Sequence, residues 1–375
     1  MSEYQSYEFV ALDRPLTARE MAELRAISTR ADISPTRFWN EYQWGGLKAD
    51  PAKLMERYFD AHAYLASWGT HRLMLRIPRA RVDLKALKPY FVGGRAACLT
   101  TTEKHLLLDL THELEEPEDD EATHGSLAAL TPLRSELLRG DLRPAYLAWL
   151  LEVSADNLDD DEVEPPVPAG LAELTAAQSA MVDLLRIDVD LVSAAAHASW
   201  SLAAKEDAPF RRWLAALSSK EKDAWLRRAA DHPELGLGGE LLRAFRDTTK
   251  PVHRGRRRTV GQLRALAEDE RAERETADAE RARRAKAQAD EARRRHLTNL
   301  ARDVEGAWST LEGLVAASDY DVAVKLALDL RDIATREATA PAFGRRFEAL
   351  RKRQVRRRGF FERWKRANKA DGRDR

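Results

Sequence analysis

The sequence predicts an α+β domain at the N-terminus, followed by an all-helical region that contains one long polar helix. Short segments with alternating apolar and polar residues occupy the first third of the chain, which is typical of strands with one buried face. Between Gln262 and Glu305 there is neither glycine nor proline, and alanine, glutamate and arginine dominate. Charge divides the chain similarly: residues 1–165 carry 19 Lys and Arg against 29 Asp and Glu, whereas residues 250–375 carry 33 against 21.

The N-terminal domain, residues 1–164, is predicted to contain about five mainly antiparallel strands. In residues 72–77, Leu73, Leu75 and Ile77 alternate with polar or larger side chains, so one face of the sheet is expected to be buried. The other predicted strands are residues 7–12, 61–66, 96–101 and 105–111.

Helices are predicted around these strands from their capping residues. Thr17 and Glu20 form a capping box, and Asp50 with Pro51 starts a second helix. Residues 127–139 and 142–152 then predict a helix pair. A DNA-reading helix-turn-helix is the alternative for this pair, but the second helix is apolar nearly all round, which favours packing on the sheet.

An acidic, proline-rich segment predicts a domain boundary. Residues 156–164 hold six acidic side chains, and the prolines that follow place a linker at residues 165–169. Residues 170–250 then predict a helical module, in which Ser218 and Glu221 form another capping box.

Residues 251–305 predict the long charged helix, about 66 Å long if residues 262–305 are unbroken. Its centre, residues 267–292, contains no Leu, Ile or Val. We therefore expect an exposed helix or a weak coiled coil with an alanine seam. Residues 306–375 predict a helical hairpin and a basic tail, since residues 345–375 carry 14 Lys and Arg against four acids.

Two clusters of cations suggest contacts with nucleic-acid phosphates, and neighbouring aromatic residues suggest base stacking. A solvated terminus is the alternative for the tail. For the charge asymmetry of the whole chain, the alternatives are an acidic partner and the acidic half of the chain folding back on the basic half. The predicted nucleic-acid-binding residues are Arg254, Arg256, Arg257, Arg258, Arg351, Lys352, Arg353, Arg356, Arg357, Arg358, Phe361 and Trp364.

The segment that runs from Tyr320 to Asp332, with Phe347 and the Phe360-Phe361 pair after it, resembles a helical module of uncharacterised bacterial proteins. It is also similar to the tails of some SWIM-type zinc-finger proteins. The zinc ligands of that family include several cysteines, and this chain has only Cys98. The resemblance therefore implies helices here and carries over neither zinc nor its binding role.

Histidines in the predicted strands raise the alternative of a metal or general-base site. The strand pattern predicts His62, His71 and His105 on one face of the sheet, with Asp60, Asp109 and His112 nearby. Nine histidines in 375 residues is ordinary usage, so no metal site and no cofactor are predicted.

The single cysteine, the absence of a basic and apolar leader, and the absence of an 18-residue apolar run predict a cytoplasmic protein without membrane contact. The first hypothesis is a non-catalytic interaction or adaptor protein with a protein partner of unknown identity. The alternative is a nucleic-acid-associated accessory protein, and the third hypothesis is an enzyme that uses the histidine-containing face.

Overall fold

The computed structural model describes residues 4–113, 127–199, 207–231 and 257–371, together with single positions between 237 and 248. The chain divides into two compact units, Met1–Glu273 and Arg274–Arg375. The first unit is an α+β domain and the second is helical, which confirms the predicted fold class.

The first unit is built on a seven-stranded sheet in which every neighbouring pair is antiparallel, in the order β2-β3-β1-β4-β5-β7-β6. The strands are β1 Gln5–Val10, β2 Asp32–Ser34, β3 Arg37–Tyr42, β4 Ala61–Ala66, β5 His71–Pro78, β6 Ala97–Thr101 and β7 His105–His112.

Strands β2 and β3 were not predicted from the sequence. Strand β2 is only three residues long, and β3 carries Asn40 on its buried face. That side chain donates a hydrogen bond to Ser28 Oγ at 2.8 Å. A buried polar residue with a distant partner breaks the apolar alternation on which the sequence prediction depends.

Helices cover both faces of the sheet. One face packs against α6, in which Tyr146 and Trp149 are fully buried, and the other packs Phe9, Phe38 and Phe59 beneath α1 and α2. The helices of this unit before the long helix are α1 Ala18–Ile27, α2 Pro51–Arg57, α3 Leu84–Leu87, α4 Leu127–Leu130, α5 Pro132–Leu138, α6 Arg143–Ser154, α7 Ala176–Leu184, α8 Val189–Ala196, α9 Asp207–Ala216 and α10 Ser219–Asp231.

Helix α6 is buried along almost its whole length, from Arg143 to Val153. A recognition helix must present one face to the DNA groove. The helix-turn-helix alternative is therefore wrong, and the helix pair is part of the core.

The predicted boundary at residues 165–169 is also wrong. Glu164 is 2 % exposed, and its N–H donates to the carbonyl of Arg258 at 3.0 Å. The hydroxyl of Tyr90 donates to the carbonyl of Pro166 at 2.7 Å. Helices α7 and α8, which follow, belong to the same hydrophobic core as the sheet. Local composition predicted a linker because the partners that neutralise and cover this segment lie far away in the chain.

The long helix α11 spans Val260–Leu300. Its beginning is buried in the core of the first unit through Val260, Leu263 and Ala267. Residues 271–296 are exposed without exception. This confirms the predicted exposure of residues 267–292, apart from the buried Ala267 and the half-buried Glu270.

The second unit has a separate core in which Trp308, Leu311, Leu330, Phe347 and Phe360 are buried. Its helices after α11 are α12 Val304–Ala317, α13 Tyr320–Arg336, α14 Ala340–Arg353 and α15 Arg358–Asp371. Within the described ranges, none of the helices combines the length and the apolar character that a membrane crossing requires.

Candidate interaction surfaces

The most highly charged surface of the second unit lies on α14, α15 and the turn between them, a region with twelve Lys and Arg against three acids in residues 340–371. Several of these cations are exposed and have no acidic partner within the described part of the chain. We call this group the α14–α15 cationic surface; its members are Arg345, Lys352, Arg356, Arg358, Lys365, Arg366 and Lys369.

Other arginines of the same helices are engaged within the unit. Arg353 makes a bidentate pair with Glu312, at 2.6 and 3.1 Å. Arg357 donates to Ser318 Oγ and to the carbonyl of Ala316, both at 2.6 Å. Of the predicted nucleic-acid ligands in the tail, these two hold α14 and α15 against α12. Arg351 lies 3.4 Å from Glu348 and is largely exposed.

The predicted stacking residues are part of the core of the second unit. The ring of Trp364 lies 4.8 Å from that of Phe347, and Phe361 packs edge-on against Phe347 at 5.9 Å. Both side chains are only partly exposed. Base stacking needs an accessible ring face, so the structure does not support that role for Phe361 and Trp364.

The arginine cluster at residues 254–258 differs from the tail in its surroundings. Arg254 and Arg256 lie outside the described residues, and Arg257 is exposed. Arg258 is held by Glu164 through two hydrogen bonds, at 2.7 and 2.8 Å. The hydroxyl of Tyr146 donates to the same carboxylate. Arg258 is therefore a structural cation, and its assignment as a nucleic-acid ligand is corrected.

The acidic segment at residues 156–164 is neutralised within the first unit. Arg264, on the first turns of α11, contacts Asp160 at 2.5 Å and Asp156 at 2.6 Å. With the Glu164–Arg258 pair, these contacts bear out the alternative that acidic and basic segments fold against each other. The other acidic run, residues 113–121, lies outside the described residues apart from Glu113.

The predicted histidine face does not exist. His71 lies opposite Leu65 in the β4–β5 pair, whereas His62 lies opposite Met74. Because side chains alternate along a strand, His71 is on the opposite face of the sheet from His62 and His105. Within the described residues, no three metal-ligating side chains come together.

Burial determines the protonation state of the individual histidines. His62 is fully buried, stacks on Phe9 with ring centroids 3.9 Å apart, and contacts the carbonyl of Glu8 through Nδ1 at 2.8 Å. This burial lowers the pKa of His62 to about 3. Burial also lowers the pKa values of His71, His105 and His112. These rings are therefore neutral near pH 7.

The carboxylate of Asp60, two residues before His62, is already engaged in hydrogen bonds. It accepts hydrogen bonds from the N–H groups of Leu12 and Asp13, at 2.7 and 2.9 Å, and from Arg76 at 2.8 Å. Burial alone would raise the pKa of Asp60, but these donors outweigh burial and hold it below its ordinary value. A carboxylate so held is a structural anion and a poor general base.

Sequence reasoning missed a polar row across the sheet. Tyr7 and Tyr64 lie side by side, with ring centroids 4.7 Å apart, and both hydroxyls donate to Gln5 Oε1, at 2.9 and 3.0 Å. Arg72 lies opposite Tyr64 in register and makes a bidentate pair with Asp109 at 2.7 and 2.5 Å. Only the strand register reveals this row.

Comparison with known proteins gives no relative: neither a family model, nor a curated protein, nor a solved structure matches this chain. The resemblance of the C-terminal module to SWIM-type tails therefore stays a prediction.

Proposed function

We propose that the chain is a cytoplasmic adaptor that binds an anionic segment of a partner protein through the α14–α15 cationic surface. The observation that carries the proposal is the contrast between engaged and exposed charges within the same helices. Arg353 and Arg357 stabilise the fold, whereas Lys352, Arg356 and Arg358 remain at the surface. Unbalanced charge of one sign costs self-repulsion and steers oppositely charged partners.

The exposed part of α11 supports an adaptor role. Residues 271–296 bury no apolar stripe, so the middle of this stretch depends on helix propensity and on local pairs such as Glu280–Arg284 at 3.2 Å. Its ends also form ion pairs with other helices, Arg271 with Asp188 at 2.5 Å and Arg293 with Asp332 at 3.0 Å. Its two ends belong to different units with separate cores. A helix with this position connects the first unit to the unit that carries the cationic surface.

Carbodiimide cross-linking in the source cells, which couples a lysine amine to a carboxylate, tests the proposal, because Lys352, Lys365 and Lys369 are exposed within the cationic surface. We expect cross-links from these lysines to an acidic segment of one recurring protein. Lys53 and Lys85, exposed on the first unit, are the internal controls. Cross-links to partners that involve the control lysines equally would contradict the proposal.

A second candidate function is sequence-independent binding of nucleic acid by the same surface. An open cavity of about 550 Å³ at the turn between α14 and α15 is lined by Arg353, Gln354, Val355, Arg356 and Arg357. Arg353 and Arg357 are engaged by Glu312, Ser318 and Ala316, but Arg356 is exposed here, and the exposed Lys352 and Arg358 lie close to it in the sequence. Clustered cations of this kind favour phosphate contacts. Because the tail aromatics are packed in the core, this mode would use phosphates and no stacking.

Salt dependence distinguishes this candidate. Each phosphate neutralised on duplex DNA contributes about −0.9 to the slope of log affinity against log salt concentration. The triple variant K352E/R356E/R358E is expected to flatten the slope by about 2.7. If the wild-type chain does not bind a 30-base-pair duplex even at about 50 mM salt, this candidate function is excluded.

A further inference from the structure

The exposed middle of α11 carries one regular seam of small and charged side chains. From residue 272 onward, alternating steps of three and four residues stay on one face of the helix, which is the spacing of a coiled-coil seam. All positions of this seam are exposed. We call it the 272–289 seam; its members are Ala272, Glu275, Ala279, Ala282, Lys286 and Ala289.

The order of residues in the 272–289 seam is complementary to its own reverse. Read forward, it is alanine, acid, alanine, alanine, base, alanine; read backward, the acid and the base exchange places. An antiparallel second copy therefore meets every position of the seam with its complement. The facing pairs are Ala272 with Ala289, Glu275 with Lys286, and Ala279 with Ala282, all in one register with the two-fold axis between residues 280 and 281.

The two charges of the seam are available for such a contact. The neighbouring ion pairs join Asp278 to Arg281 and Glu280 to Arg284. Within the described part of the chain, neither Glu275 nor Lys286 belongs to an ion pair.

The engagement of Arg293 sets the end of the complementary stretch. The next layer of the same register would place Glu268 opposite Arg293. Arg293 is already bound by Asp332 at 3.0 Å and by Asp329. The available seam therefore ends at residues 272 and 289.

We propose that α11 pairs antiparallel with α11 of a second copy of this chain through the 272–289 seam. Four of the six seam positions are alanine, which lets the two helix axes approach to about 8 Å. Two-fold symmetry forms the Glu275–Lys286 pair twice. Antiparallel helices also bring the positive end of each helix dipole toward the negative end of the other.

Charge selects this arrangement over the other pairings of the same seam. A parallel copy in register would place Glu275 against Glu275 and Lys286 against Lys286, and like charges across an interface are unfavourable. Shifting the antiparallel copy by one heptad places either Glu275 opposite Ala279 or Lys286 opposite Ala282. A charged residue at a seam position fixes the register in this way, at some cost in stability.

Disulfide trapping in full-length C98S chains tests the register, because Cys98 is the single native cysteine. Residue 279 of one copy faces residue 282 of the other, within disulfide range for closely packed helices. A mixture of A279C with a tagged A282C is therefore expected to form a mixed covalent dimer under mild oxidation. The control mixture, A277C with R284C, has the same register on the opposite face of the helix and should not form one.

Two results of this trapping would overturn the proposal. One is the absence of a mixed dimer from A279C and A282C. The other is efficient dimer formation by A279C alone and by A282C alone, because a parallel pairing places each residue against itself.

Sedimentation equilibrium of the full chain gives the second measurement, and wild type is expected to form a concentration-dependent dimer. E275K and K286E each create two symmetry-related like-charge pairs and should raise the dissociation constant about tenfold or more. The double variant E275K/K286E exchanges the charges and should restore the wild-type constant. The control E273K makes the same charge change as E275K on the opposite face of α11 and should dimerise like wild type.

A wild-type chain that is monomeric up to about 0.5 mM would refute the proposal. Dimerisation of E275K/K286E as weak as that of the two single variants would refute it as well. The 272–289 seam shares no residue with the α14–α15 cationic surface, so these outcomes do not bear on the proposed function.

Discussion

Two arginine triplets in this chain have the same sequence and opposite surroundings. In the first, residues 256–258, Arg258 is 17 % exposed and is bonded to Glu164, which lies 94 residues earlier. In the second, residues 356–358, Arg356 and Arg358 are exposed. Local sequence alone therefore does not determine whether an arginine stabilises the fold or is available to a partner; the tertiary position of an acid does.

The difference also explains the charge asymmetry of the sequence. The acidic run at residues 156–164 is partly neutralised by Arg258 and Arg264 within one unit. In α14 and α15 the cations outnumber the acids, and the excess stays at the surface.

The largest effect is expected at the buried pair. R258M leaves the Glu164 carboxylate buried without its cation, which should cost about 3–5 kcal/mol in the free energy of unfolding of the first unit. The matched variant R358M should change stability by less than about 0.5 kcal/mol. Urea unfolding measures both, with hydrogen exchange read on α6 for R258M and on α13 of the second unit for R358M. Equal effects would show that the two triplets do not differ as described.

A smaller effect concerns acid stability. The pKa of His62 is about 3 in the folded state, below the ordinary value of 6.5. The unfolded chain therefore binds the proton more readily, and the stability contributed by the neutral ring is lost as pH falls below about 6.5. Between pH 6.5 and 5.0 this group alone should cost about 1.5 kcal/mol.

The variant H62Q is the control for that acid response. Its absolute stability will differ, but the loss between pH 6.5 and 5.0 should be about 1.5 kcal/mol smaller than in wild type. Urea midpoints at the two pH values, read from exchange in β1 and β4, measure the difference. An unchanged pH response in H62Q would contradict the neutral, buried state of this ring.

The smallest effect is expected at a Glu–Arg pair in the exposed part of α11. E280Q removes the charge from the Glu280–Arg284 pair and should cost only about 0.2–0.5 kcal/mol, seen as faster local exchange. E164Q, the same substitution at the pair with Arg258, should cost several times more. If E280Q and E164Q lowered the free energy of unfolding by the same amount, burial would not be the factor that separates the two pairs.

The sequence predicted what depends on neighbouring residues. The capping boxes at Thr17–Glu20 and Ser218–Glu221 form as expected, as do strands β4 and β5. The prediction from sequence failed where the interacting residue lies far away in the chain. The acidic run at residues 156–164 and the prolines after it predict a linker at residues 165–169, because the cations that engage the run, Arg258 and Arg264, lie about a hundred positions further on.

The α14–α15 cationic surface was likewise predictable only where it depends on local sequence. A cationic tail was predictable from composition, but which cations are exposed was not, because Glu312 and Ser318 engage Arg353 and Arg357 from another helix. Base stacking is predicted for Phe361 and Trp364 because they lie among the cations of the tail. Instead, both rings pack against Phe347 in the core, because burial of their apolar surface is favourable.

Comparative capture from the source cells tests the central claim most directly. Three full-length baits are used: wild type, K352E/R356E/R358E, and R30E/K53E/K85E, which makes the same change in net charge on exposed cations of the first unit. The cationic-surface account predicts a protein that wild type and R30E/K53E/K85E retain equally and that K352E/R356E/R358E loses at least about tenfold, with all three baits equally stable. Equal retention by all three baits, or equal loss in both variants, would contradict it.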